Sequence, residues 1–245
     1  VSLNTDPALG ATYNYNFPAA APTTDAQIIA SSSGMTTNVF YDIHATSVFY
    51  VRKNPGPNEF SSITAAVAAA VATTPSTTNR CVIYIYSGTY LESAITIPAY
   101  VFLWGQYMES VIITPSALGY SLVTIGGPNT GMAFLTINNT DPLFPAIHCL
   151  DCGDSCILHK VEMKTGCAMG VLCETSGSAT ENSQVYLEYF DTTNSTTYGL
   201  KVIDTNPAST FGNYVSCENF FTFGHSDNAV WCSGLNSNLI FQATE

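Results

Sequence analysis

Five short strand-like segments, LVTIGG (122–127), IHCLDC (147–152), VLCETS (171–176), LKVIDT (200–205) and VWCSGL (230–235), begin 25, 24, 29 and 30 residues apart. A second series keeps step with the first: AFLTIN from 133, ILHKVE from 157, VYLEYF from 185 and VSCENF from 215, at intervals of 24, 28 and 30. Two apolar segments that recur on one period of this length signal a stacked architecture, in which each repeat buries its apolar face only against its neighbours. The stretch VIYIYSGTYLESAITI (82–97) has the alternation and Ser-Gly break of a hairpin, but its second run continues through IPAYVFLWG and SVIITPS. A chain that keeps winding accounts for both. The expected fold is all-β, a single-stranded right-handed parallel β-helix.

In such a coil, equivalent positions stack and alternation sends every second residue inward. The first series then places Leu122, Ile147, Val171, Leu200 and Val230 inside, followed by Thr124, Cys149, Cys173, Val202 and Cys232. The second places Ala133, Ile157, Val185 and Val215 inside, then Leu135, His159, Leu187 and Cys217, then Ile137, Val161, Tyr189 and Asn219. Outward in the second series are Phe134, Leu158 and Tyr186, then Lys160 beside Glu188, then Phe190 and Phe220. On another wall, His148, Leu172, Lys201 and Trp231 face out.

The cysteines fit this register. Of eight, seven fall at 149 and beyond, and HCLDCGDSCILH invites a zinc reading with Cys149, Cys152, Cys156, His148 and His159. The register instead makes them small core residues, with Cys149 and Cys156 on different walls whose ligands do not converge. No metal and no cofactor is expected.

One helix is expected at about 60–73, where Phe60, Ile63, Val67 and Val71 recur at helical spacing between Asn58 and Thr73-Thr74-Pro75. Residues 1–48 carry a PAAAPTT spacer and read as an arm or linker, leaving 49–245 as the β-helix domain. Only 10% of the 245 residues are charged, against a usual quarter, so hydroxyls and amides fill the polar positions. Eighteen acids against six bases give a net charge of −12, which excludes a nucleic-acid partner that needs a basic stripe. SSITAAVAAAVATTP is too short to span a bilayer, so no membrane insertion is expected, and the amino end lacks the basic-then-apolar form of a signal peptide.

The run from FYVRKNPGPNEFSSITAAVAAAV through CVIYIYSGTYLESAITIPAYVFLWGQYMESVIITPS resembles the amino-terminal cap and first coils of pectin-lyase-like β-helix proteins. The likeness lies in the FSSITAAV helix and an I-x-I-x-x-G-x-Y-x-E strand, over residues 48–126. Lyases of that family are expected to use an Arg or Lys base with calcium-binding acids, and its esterases two Asp with an Arg and glutamines. Here no arginine follows Arg80, and Lys160, Lys164 and Lys201 are the bases of the coils. The family's hydrolases carry NTD, a paired DD, GHG and RIK motifs; this chain has Asn139-Thr140-Asp141 and Gly224-His225-Ser226 without the pair or the basic motif. Inverting hydrolysis needs two carboxyls about 6.5–9.5 Å apart, and no second acid is placed beside Asp141 by sequence.

No catalytic residue is therefore assigned. A wall with this many aromatics and few charges suits an interface. The expectation is a non-enzymatic structural or attachment protein in a homo-trimer, with Phe134, Leu158 and Phe220 at the subunit interface. A glycan or protein partner would meet Trp231, Tyr186 and Phe190. By texture the chain resembles viral fibre and tailspike proteins, giving a virion or extracellular surface as its place, with host cytoplasm during assembly as the alternative. The competing expectation is a carbohydrate-active enzyme, a polysaccharide hydrolase or lyase. Acids gathered in one groove from Asp141, Asp151, Asp154, Asp204 and Glu188 would favour it. Asn138-Asn139-Thr140 and Asn194-Ser195-Thr196 form glycosylation triplets.

Overall fold

The computed structural model describes residues 45–245 except 165–166, 177–178, 180–181, 194–196, 206–210, 224–228, 235 and 243–245. The arm through residue 44, the Asn194 triplet and Gly224-His225-Ser226 lie outside the described residues.

The chain opens with β1 (Ser47–Val51) and α1 (Ile63–Ala72), then β2 (Cys81–Ile85), β3 (Gly88–Glu92), β4 (Ile95–Ile97), β5 (Val101–Gly105), β6 (Val111–Pro115) and β7 (Val123–Ile125). Longer strands follow: β8 (Thr130–Ile137), β9 (Pro145–Leu150), β10 (Cys156–Met163), β11 (Met169–Thr175), β12 (Ser183–Thr193) and β13 (Tyr198–Asp204). The coil ends with β14 (Asn213–Phe223), β15 (Val230–Ser233) and β16 (Asn238–Gln242). Every named strand pair is parallel, in a 10-stranded sheet running β1-β2-β5-β8-β10-β12-β14-β16, with β3 and β6 on a branch, and a 6-stranded sheet β15-β13-β11-β9-β7-β4. The 82–97 stretch winds rather than folding back: β2 pairs β1 and β5, β3 pairs β6, and β4 pairs β7.

The helix is shorter than its spacing suggests. Phe60 is held against β1 instead, exchanging backbone bonds with Tyr50 and Arg52 at 2.8 Å each. Ser62 then caps α1, accepting from the Ala65 N–H, and the buried face is Ile63, Ala66, Val67 and Ala70 while Val71 is exposed.

The I-x-I-x-x-G-x-Y-x-E strand explains this cap. Ile83 and Ile85 are fully buried, and the buried Tyr90 hydroxyl donates to the Tyr86 carbonyl at 2.7 Å. Glu92, also buried, reaches the first turn of α1, where it accepts from the Ile63 N–H at 2.7 Å, the Thr64 N–H at 3.1 Å and the hydroxyls of Ser62 and Thr64 at 3.0 and 2.8 Å. The helix has no acid in its own first turn, so this carboxylate satisfies donors that would otherwise be orphaned.

The long strands bend at one aligned residue. Phe134, Lys160, Tyr189 and Asn219 stack in register and all have left-handed backbone, with φ of 56, 50, 48 and 51. This residue resets the in-out parity as a bulge does. Before it the inward column is Met132, Leu158, Leu187 and Cys217; after it come Leu135, Val161 and Phe190, all buried, with the half-buried Phe220. Leu158 and Phe190, expected outside, are therefore fully buried, while Ile157 and Tyr189 leave the core. Uninterrupted alternation misplaced them because the sequence does not mark a left-handed corner. The first series is shifted by one at its start, since Val123 and Ile125, rather than Leu122 and Thr124, align with Ile147 and Cys149. Its remaining columns hold: Cys149 pairs Cys173, Cys173 pairs Val202, and Val202 pairs Cys232. All eight cysteines but Cys232 are buried. Among the described residues no helix is long and apolar enough to cross a membrane.

Candidate functional site

Between the end of one wall and the start of the next, the last coils leave a groove of about 460 Å³ lined by Asn182, Gln184, Tyr186, Gly212, Asn213, Tyr214, Asn236 and Asn238. Among the described residues its side chains are amides and phenols, with no charged residue in the lining. Stacking builds it: Gln184, Tyr214 and Asn238 pair in register on β12, β14 and β16. The Asp154 carboxylate accepts from Gln184 Nε2 at 2.7 Å, and Gln184 Oε1 accepts from the Tyr186 hydroxyl at 2.9 Å, which fixes the tyrosine ring. Gly212 donates to Asn182 Oδ1 at 3.0 Å; a Cβ there would meet the Asn236 backbone, so only glycine gives this floor. Asn213 is buried, donating to the Ile203 carbonyl at 2.6 Å, while its Oδ1 has no partner among the described residues.

Of the three expected ligand contacts, the groove includes Tyr186 alone. Trp231 is 43% exposed but stands on the other sheet, 6.0 Å from Tyr198. Phe190 lies in the core, stacked on Phe220 at 6.0 Å and 9°. The expected interface trio divides likewise: Leu158 is core, Phe220 packs against the core, and Phe134 stays on the outer corner. There Phe134 sits 4.9 Å from Trp104, with the Lys160 ammonium 5.4 Å from its ring and 5.5 Å from that of Tyr189. Lys160 thus lies between aromatic faces rather than beside Glu188, whose carboxylate accepts from His159 Nδ1 at 3.0 Å. His159 is buried as expected, but under Phe134 and against this outer-face carboxylate. The missed groove amides had one sequence signal, the Asn-Ser pairs at 182–183 and 236–237 that occupy the same corner of the coil.

Among the described residues, the acids named by sequence are spread over the turn after β8, the turn after β9, β12 and the end of β13. Asp141 is buried in a turn; burial pushes its carboxyl up, but backbone N–H groups of Gly119, Leu143, Phe144 and Tyr120 outweigh this and hold it below the ordinary range. That is a structural turn rather than a catalytic acid. Asp151 accepts from the Ser176 N–H at 2.7 Å, Asp154 serves Gln184, and Asp204 ends β13. A pair the spacing did not reveal is Glu162 with Asp191, register partners on β10 and β12. Glu162 Oε2 takes the Thr136 hydroxyl at 3.1 Å and the Lys164 ammonium at 3.3 Å. Burial, then the neighbouring Glu162, pushes Asp191 up.

The cysteine expectation needs one correction. Cys149 and Cys156 do stand on different strands, but the coil is narrow enough that their sulfurs and that of Cys152 lie within 4.8 Å of one another. Different walls therefore do not prevent convergence.

No protein-family model matches the chain, and no curated protein sequence matches it. Among solved structures, a pectin methylesterase in complex with hexasaccharide VII is similar over 76% of this chain and 66% of that one, at 17% identity and a TM-score of 0.42. The chain thus spans just under two thirds of that esterase's length. Pectin methylesterase PemA from Erwinia chrysanthemi is similar over 74% and 69% of the two chains, at 14% identity and a TM-score of 0.42. The A-module of mannuronan C-5 epimerase AlgE4 from Azotobacter vinelandii gives 74% and 71%, 13% and 0.28. The fold of this chain, a parallel β-helix, rests on its own strand pairing.

Proposed function

We propose that this chain is a non-enzymatic attachment protein that binds a neutral glycan in the groove around Tyr186, as part of a homo-trimer carried on a virion or other extracellular surface. The observation that supports it is the groove's composition: among the described residues, seven amide and tyrosine side chains above a glycine floor, with no carboxylate and no cation in the lining. Tyrosine offers an apolar face and a polar tip, and amides offer paired donors and acceptors, which together suit the mixed surface of an uncharged sugar. An anionic polymer meets no cation among the described lining residues, and the chain's own charge of −12 repels it. On a neutral glycan array, Tyr186→Ala is expected to weaken binding about tenfold or more, a loss of about 1.4 kcal/mol. Trp231→Ala, on the other sheet, is expected to bind as wild type. Equal binding by wild type and Tyr186→Ala would remove the groove from the proposal, and a monomer in sedimentation velocity would remove the trimer.

One observation favours the enzymatic alternative, the Glu162 and Asp191 pair with its raised aspartate. A carboxyl pushed up by burial beside a second carboxyl is the kind of arrangement that acid-base hydrolysis uses. If the chain cleaves a polysaccharide there, Asp191→Asn will lose about a hundredfold or more in rate. Under the attachment reading, wild type and Asp191→Asn show the same background in a reducing-end assay across neutral and pectic polysaccharides.

A further inference from the structure

Cys149 faces inward from β9, Cys156 is the first residue of β10, and Cys152 sits in the five-residue turn between them. The spacing is Cys-x2-Cys-x3-Cys, within the range that metal-binding cysteine pairs use. All three are at most 1% exposed, and their sulfurs fall within 4.8 Å of one another. Cys173, the strand neighbour of Cys149, is equally buried and is the fourth thiol at this place.

Ordinary core packing does not account for the group. The same columns carry Ile125 and Val202 beside Cys149 and Cys173, and Cys156 lies between Thr130 and Val185 with Val215 next in line, so branched side chains fit these positions. Filling them with thiols removes apolar volume where three segments meet, so the cluster has no packing advantage. The turn is also bent around Cys152: Asp151, Gly153 and Ser155 all have left-handed backbone, with φ of 47, 62 and 61. Two of these are not glycine, and the result is a Cys152 side chain with no exposure at all.

We propose that Cys149, Cys152 and Cys156 hold a thiophilic closed-shell cation, Zn2+ or Cu+, inside the coil, with Cys173 placed to complete four-coordination. Metal–sulfur bonds of about 2.3 Å set sulfur–sulfur edges of about 3.8 Å in a tetrahedral site, so the three sulfurs need to draw together by about 1 Å at most. Soft thiolate sets select these ions over oxygen-seeking ones. Because the site has no exposed face, the ion enters as the coil forms, and its binding is coupled to folding.

The test is refolding of the full chain under reducing, anaerobic conditions with Zn2+, with Cu+, or with neither, followed by exhaustive dialysis and elemental analysis. The expected result is one ion per chain, with a raised thermal midpoint relative to the metal-free sample. Zinc retention indicates the four-thiol arrangement and copper retention the three-thiol one. Cobalt substitution is expected to give sulfur-to-metal charge transfer, and the intense visible bands of a tetrahedral thiolate site if Cys173 joins. Cys149→Ser and Cys156→Ser are expected to fall to background metal, while Cys81→Ser, a buried thiol on β2, keeps it. Wild-type protein that retains no ion and melts identically in all three samples overturns the proposal without recourse to any variant. So does an intact mass two hydrogens light with no metal, which would make the cluster a disulfide.

Discussion

Gly105→Ala is expected to lower the thermal midpoint by about 10 °C, from a loss of about 3–5 kcal/mol. Gly105 closes β5 in register with Ile85 on one side and beneath the Phe134 corner on the other. A Cβ at this position would run into the Phe134 carbonyl oxygen and press on the Leu135 Cβ at 3.2 Å. The obstructing atom is backbone, so no rotamer change relieves it, and adjacent coils are held at about 4.8 Å by their ladder bonds. Gly126→Ala is the control, because its new methyl would meet only the Leu150 oxygen at an ordinary 3.4 Å. That variant is expected within about 0.5 kcal/mol of wild type. Calorimetry that finds the two variants equal would mean the coils are not stacked this tightly at the corner.

Glu92→Ala is expected to cost about 3 kcal/mol, because one buried carboxylate serves four donors and its loss leaves the Ile63 and Thr64 N–H groups without their acceptor. The donors are two backbone N–H groups of α1 and the Ser62 and Thr64 hydroxyls, all within 3.1 Å. Ser62→Ala, which removes the conventional cap but leaves Glu92, is expected to cost about 1 kcal/mol. The ordering is the informative part. In urea titrations, a Ser62 effect equal to or larger than that of Glu92 would show that α1 is capped locally and not from the strand 29 residues away.

The solenoid was legible because its signal is periodic and redundant. Val171 on Leu200 on Val230, and Val185 on Val215, repeat the same choice at the same place, and no single misalignment destroys that pattern. Side-chain direction was less legible, for a reason located in four residues. Phe134, Lys160, Tyr189 and Asn219 share a backbone conformation but no chemistry, so nothing in their identity announces a corner. Carrying alternation through them sent Leu158 and Phe190 to the surface on paper, although both are fully buried. The groove was partly legible through Tyr186, but its amides come from three coils and two sides of a turn, and only the register joins Gln184 to Tyr214 and Asn238. Convergence of Cys149 with Cys156 was missed because spacing along the chain says which wall a residue is on, not how far apart the walls stand.

That corner column also separates two kinds of constraint that most folds entangle. Its geometry is carried by main-chain torsions, so phenylalanine, lysine, tyrosine and asparagine all occupy it, and each projects from the same edge of the stack at intervals of one coil. Substitution along this edge can rewrite what the molecule displays to its surroundings while the interior stays as it is. A lineage of such chains would be expected to diversify along this line and to keep the columns behind it.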